Sequence, residues 1–239
     1  MPNKPRIVVS YGGSILVPGP RDHESSWIDQ EALAGLTLLL HELSAKYRFV
    51  VTVGGGKING HYVEVLRQMH GTTPIDDRLL DVLGISATKF NATLLWIPLC
   101  QTGLAYREVV ENPTIPIRTT KPVIIGCGWR PGCSTDKDAV LWAINVGARV
   151  VINASNISHV YTADPRKDET AKPLKWLSWD NLLEMIGKKW SPRMNVPFDP
   201  IAAQLARKHG LKVLVLDGRN MANLRAAIEG EEFVGTTIV

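Results

Sequence analysis

Three glycine-rich turns hold the groups best suited to chemistry. They are Gly12-Gly13-Ser14, Gly54-Gly55-Gly56-Lys57, and the segment 126–135 with Gly126, Gly128, Gly132, Ser134 and Thr135. Each follows a short apolar run, at residues 7–9, 49–53 and 123–125. Glycine lets backbone amides turn toward a ligand, and a helix starting in the turn adds its positive end. The chemistry this serves is the binding of phosphate or a similar oxyanion. Taken singly, each turn reads equally well as a tight connection. Taken together, at the carboxyl ends of strands in a strand–helix repeat, they converge on the sheet edge where ligands bind.

Several nucleotide folds are excluded. No Gly-x-x-x-x-Gly-Lys-Ser/Thr segment exists, so the turns are not a P-loop. After Gly126-Cys127-Gly128 the next glycine is Gly132, one residue too late for a dinucleotide fingerprint. The His-Arg-Asp and Asp-Phe-Gly signatures of protein kinases are absent.

The elements that must position these turns alternate regularly. Residues 6–10 read as a buried strand, and Leu33, Leu36, Leu40 and Leu43 mark a helix face. Residues 49–53 form a second strand, followed by a helix facing the core through Ile58, Tyr62, Val65, Leu66 and Met69. A helix over 84–95 is entered from Asp76-Asp77 and interrupted before Pro98. Residues 123–125 are a strand and 135–146 a helix, with Thr135 and Asp138 spaced as a capping box. A strand at 149–154, a short helix at 179–186 and an irregular loop between Pro192 and Pro197 follow. Asp199 precedes a helix over 200–209, with Pro200 in its first turn and Gly210 as its stop. A strand at 211–216, a helix at 220–228 and a last strand at 236–239 complete an α/β chain with a largely parallel sheet.

Composition is that of a globular domain: 239 residues, 45% hydrophobic and 21% charged. No apolar run approaches a membrane span, and Met1 to Pro5 lack the layout of a signal peptide. Cys100, Cys127 and Cys133 form an odd set without zinc spacing, which points to a reducing compartment and no metal cage. The net charge of +4 is scattered rather than run together, which argues against a nucleic-acid surface. Trp176, Trp179 and Trp190 fit a packed core or subunit contact better than base stacking.

The motifs resemble those of the amino-acid kinase superfamily. They are Gly12-Gly13-Ser14, Val53-Gly54-Gly55-Gly56-Lys57, Ser134-Thr135-Asp136 and Val160-Tyr161-Thr162-Ala163-Asp164-Pro165, in that order, with Asp199-Pro200-Ile201-Ala202-Ala203 and Gly235-Thr236-Thr237-Ile238 after them. Length and the Asp-Pro-Ile-Ala-Ala segment are most similar to the archaeal-type uridylate kinases. The resemblance implies a three-layer sandwich in one domain, with residues 1–150 mainly the acceptor lobe and 151–239 mainly the ATP lobe. It also implies transfer of a phosphoryl group from magnesium ATP to UMP, in a cytoplasmic hexamer.

Carried over by position, Gly13, Ser14 and Gly56 would hold ATP phosphates, and Gly55 the UMP phosphate. Asp81 would grip the UMP ribose, and the loop of Trp129, Arg130, Pro131, Gly132, Cys133, Ser134 and Thr135 would wrap the nucleotide. Ser155, Tyr161 and Asp164 would hold the ATP base and ribose, while Asp136 and Asp199 order the magnesium. Each has a plainer alternative: Lys57 as a solvated helix-start lysine, Arg130 as a subunit contact, Asp136 as a carboxylate favoured by its helix.

The chain departs from the superfamily pattern at Ser10, where a lysine is common, and at Gly60, where an arginine is usual. Ser158-His159 replaces an Asp-Gly pair, and Arg193 a glycine. Lys57, Arg130 and Arg193 are the replacement cations, Arg130 foremost. Two functions are compatible with this site: UMP phosphorylation, or nucleotide or oxyanion binding without transfer, for storage or regulation.

Overall fold

The computed structural model describes residues 4–20, 26–187 and 196–239; Trp190, Pro192 and Arg193 lie outside them. In chain order the elements are β1 (Arg6–Tyr11), α1 (Gly13–Leu16), α2 (Gln30–Leu43), β2 (Arg48–Val53), α3 (Gly56–His70), α4 (Asp77–Gln101), β3 (Val123–Gly126), α5 (Thr135–Val146) and β4 (Val150–Ser155). Then come β5 (Val160–Tyr161), β6 (Pro173–Leu174), β7 (Trp176–Leu177), α6 (Trp179–Ile186), α7 (Pro200–Lys208), β8 (Lys212–Asp217), α8 (Met221–Glu229) and β9 (Thr236–Ile238).

One seven-stranded sheet runs β3-β2-β1-β4-β8-β9-β7. Its first five strands are parallel, and β9 is antiparallel to β8. Strands buried on both faces read as unbroken apolar runs. In β1, Ile7, Val9 and Tyr11 face a layer built by α2, α4 and α8, while Val8 faces one built by α5, α6 and α7. The result is a three-layer sandwich. Tyr11 pairs with Val53 and with Ala154, Thr52 with Gly126, and Ser155 with Asp217. That register brings all three glycine turns to one edge. Chain order reverses there, between β1 and β4, where ligands bind in open α/β sheets.

Three local expectations are corrected. The helix expected over 84–95 runs from Asp77 to Gln101, because Asp76 caps it through Arg78 N and Pro98 falls in its last turns. There a missing amide costs one bond rather than the whole helix. Though long and apolar enough by composition to cross a membrane, α4 lies along the sheet with Leu80, Ala87, Ala92, Leu95 and Leu99 buried. In α3 the apolar stripe faces outward: Tyr62, Val65 and Met69 are exposed and Val63 is the buried residue. Finally, the cap of α5 is Ser134, whose hydroxyl accepts from Lys137 N at 3.2 Å, so Thr135 and Asp138 form no capping box. Trp179 is buried in the α6 layer and Trp176 is exposed.

Candidate active site

The first two turns touch backbone to backbone. A Cβ on Gly13 would stand 2.2 Å from both Gly54 O and Gly56 N. Gly56 takes φ +67°, which lets the chain turn from β2 into α3. Gly54 N donates to Tyr11 O at 3.0 Å, and the Asn91 amide of α4, buried, donates to Gly54 O at 2.9 Å. This joined ridge of glycines has a cleft on either side.

The first cleft, about 270 Å³, brings together Gly55, Asp81, Cys133, Ser134, Thr135, Asp136 and Asp199. These are expected acceptor and magnesium residues, drawn from four separate stretches of chain. The second, about 670 Å³, contains Ser14 and Lys57 and is closed by Asn156, Arg219 and Asn220. Lys57 therefore lies on the α1 side of the ridge, apart from Asp81, Asp136 and Asp199. Trp129, Arg130, Pro131, Gly132, Ser155, Tyr161 and Asp164 line neither cleft. Arg130 is exposed, with Cζ 4.0 Å above the Trp129 ring. Tyr161 OH meets Ser158 Oγ at 2.9 Å, and Asp164 is paired with Arg166 at 2.9 Å, which holds its carboxyl below the ordinary range.

Among the described lining residues the first cleft holds three aspartates and no lysine or arginine. Ser10, at the end of β1, donates to Asp136 Oδ1 at 3.1 Å; Asp199 N donates to Asp136 Oδ2 at 3.3 Å. Asp199 caps α7 by accepting from Ala202 N at 2.7 Å. The Oδ2 of Asp81 accepts from Gly132 N at 2.8 Å, tying the third turn to α4. Sequence reasoning missed Asn59, Thr88 and Asn91. Asn59 lines the cleft with a buried Oδ1 that has no partner among the described residues. Thr88 and Asn91 are polar positions on the buried face of α4, and that break in an apolar stripe was the available signal.

Burial and the charge of Asp199 push Asp136 up to about 6, against the pull of its bonds to Ser10 and Asp199 N. Burial pushes Asp138 up to about 7. Both exceed the ordinary 3.8, so the folded protein holds protons that the unfolded chain has released. Their stabilising contribution is complete below 3.8 and is lost as pH rises through 6 to 7. The nucleotide-free protein in chelator is expected to melt at a lower temperature at about pH 8 than at about pH 5. Thermal melts across that range check this, and a rise of melting temperature with pH would contradict it. Cys127 is buried and pushed up to about 12, so its thiol is inert; all three cysteines are unpaired.

Comparison with known proteins agrees with this geometry. The family model "Amino acid kinase family" matches residues 5–217. A uridylate kinase of Methanospirillum hungatei is 36% identical, covering 98% of this chain and 94% of the relative. One from Pyrococcus abyssi is 33% identical, covering 98% and 99%. The crystal structure of uridylate kinase from Archaeoglobus fulgidus superposes with a TM-score of 0.78 at 31% identity, covering 98% of this chain and 99% of that one. With the glycine ridge, the paired clefts and a match along nearly its whole length, the chain belongs to the amino acid kinase family.

Proposed function

We propose that this protein transfers the terminal phosphoryl group of magnesium ATP to UMP, yielding UDP. The observation that carries the reading is the ridge where Gly13 meets Gly54 and Gly56, with a cleft for one phosphorylated ligand on each side. The names of the relatives, uridylate kinases over nearly their full length, supply the acceptor. An acceptor phosphate is already an anionic nucleophile, so no general base is required. Alignment and positive charge are.

In this reading Gly55, Ser134 and Thr135 meet the UMP phosphate at the starts of α3 and α5, whose positive ends favour an anion. Asp81 takes the ribose, and residues 129–133 enclose the base. Gly13, Ser14 and Gly56 hold ATP phosphates, and Ser155, Tyr161 and Asp164 the adenosine. Lys57, lining the Ser14 cleft, supplies a cationic side chain; Arg130, stacked on Trp129 outside both clefts, would have to swing inward to add a second. Asp136 and Asp199 fit magnesium: two adjacent carboxylates suit an ion that keeps several waters and leans on nucleotide phosphates. When bound, that ion neutralises charge developing on the phosphates. Residues 1–150 are then mainly the acceptor lobe and 151–239 mainly the ATP lobe. The unpaired cysteines fit a reducing cytoplasm. The exposed Tyr62, Val65 and Met69 of α3 and Leu79, Val82 and Phe90 of α4 fit a homo-oligomer such as the hexamer of the resemblance.

Purified protein, ATP and magnesium with a panel of nucleoside monophosphates test the function. UMP turnover well above the other acceptors is expected. ATP binding without transfer to any of them would establish the storage or regulatory role instead. Asp81→Ala is expected to weaken UMP binding about tenfold or more while leaving ATP binding nearly unchanged, through loss of a charge-assisted hydrogen bond. Asp81→Asn, which can still accept from Gly132 N, separates ribose recognition from loop anchoring in calorimetry.

A further inference from the structure

The third turn is fastened by side chains at three of its amides. Gly128 N donates to Thr88 Oγ1 at 2.8 Å, Trp129 N to Asp138 Oδ2 at 3.1 Å, and Gly132 N to Asp81 Oδ2 at 2.8 Å. Thr88 and Asp81 line the acceptor cleft themselves, whereas Asp138 does not. It sits inside the α5 layer, fully buried, one turn before the equally buried Trp142.

Asp138 is an expensive residue for that place. Its Oδ1 is buried without a partner among the described residues. Trp142 Nε1, in the same layer, and Thr52 Oγ1, at the end of β2, are also buried without a partner among the described residues. Both lie beside Gly126, within 2.9 and 3.4 Å of where a Cβ would stand, at the start of the same turn. A carboxyl group taken out of water with one oxygen left unpartnered costs free energy, and an apolar residue of the same shape would not. The one bond it does make goes to the loop. Such a cost is repaid in function when the group fixes a geometry the ligand needs.

We infer that Asp138 is a positioning residue for the acceptor: by holding the Trp129 amide it fixes the entry of the 128–134 loop and so places Ser134 and Thr135 at the cleft. This rests on the reading of that cleft as the UMP site. Asp138 touches no substrate. Its effect on UMP runs through the backbone, and the ATP side of the ridge is untouched. Fit and stability are therefore expected to move in opposite directions on substitution, which a merely structural carboxylate would not produce.

The test compares wild type, Asp138→Val (near in shape, unable to accept) and Asp138→Asn (able to accept from Trp129 N). Asp138→Val is expected to raise the KM for UMP about tenfold or more, the loss of a hydrogen bond to a charged group, with the KM for ATP within about twofold. Its melting temperature should equal or exceed that of wild type, and Asp138→Asn should restore most of the UMP affinity. Hydrogen exchange at the Trp129 amide, read on the nucleotide-free proteins, should be faster in Asp138→Val than in Asp138→Asn. Faster exchange with an unchanged KM for UMP would overturn the positioning role alone, as would equal rises in both KM values or a lower melting temperature in Asp138→Val. A wild type that does not turn over UMP would overturn the acceptor reading, and with it the proposal.

Discussion

Gly13→Ala is expected to abolish transfer and to destabilise the fold by about 3 kcal/mol or more, the upper range for forcing atoms into a packed interior. The added methyl would meet Gly54 O and Gly56 N at 2.2 Å, and both are backbone atoms with no rotamer to change. Relief requires β1 and β2 to part at the edge where Tyr11 pairs with Val53, or the second turn to move away from the first. Either breaks the ridge between the clefts. The measurement is chemical denaturation together with ATP binding by calorimetry. A variant of wild-type stability that still binds ATP would show that the two turns do not form the nucleotide floor. Gly60→Ala is the control: a Cβ there meets nothing within 4 Å and a glycine leaves the interior of α3, so ATP binding should be unchanged and stability equal or higher by up to about 1 kcal/mol.

Asp136→Asn is expected to lower kcat by about 100-fold or more while leaving the protein at least as stable as wild type near neutral pH. Asparagine keeps the shape, and one oxygen to accept from Ser10 or Asp199 N. It lacks the charge that, in the proposed reading, would help hold magnesium. Because burial already disfavours that charge, removing it relieves the folded state. Loss of kcat with unchanged or higher melting temperature identifies a carboxylate held for chemistry. Near-normal kcat would return Asp136 to the role of an early-helix residue placed only to suit the positive end of α5.

Much of the fold was legible because its signals are local. Runs such as Ile7-Val8-Val9 and Val123-Ile124-Ile125 are too short for helices and apolar at every position, as parallel strands buried on both faces must be. The lead residue Asp199 and the stop at Gly210 follow from hydrogen-bonding and backbone needs that a few residues satisfy among themselves. The apolar stripe of α3 misled, because a helical period shows that a face is apolar without showing what covers it. Pro98 misled because breaking power depends on where in a helix the proline falls.

The sequence by itself determined the α/β class and the three turns, because short apolar runs ending in glycine, repeated in alternation with helical periods, are local patterns that together have few other readings. Only the tertiary structure decided which of those residues meet. It put Lys57 on the Ser14 side of the ridge, and it folded Arg130 onto Trp129 outside both clefts. It also turned Asp138 from an expected capping residue into a buried anchor for the loop. Those outcomes depend on strand order and helix rotation, which are set by long-range packing across the whole sheet and leave no mark in the spacing of neighbouring residues.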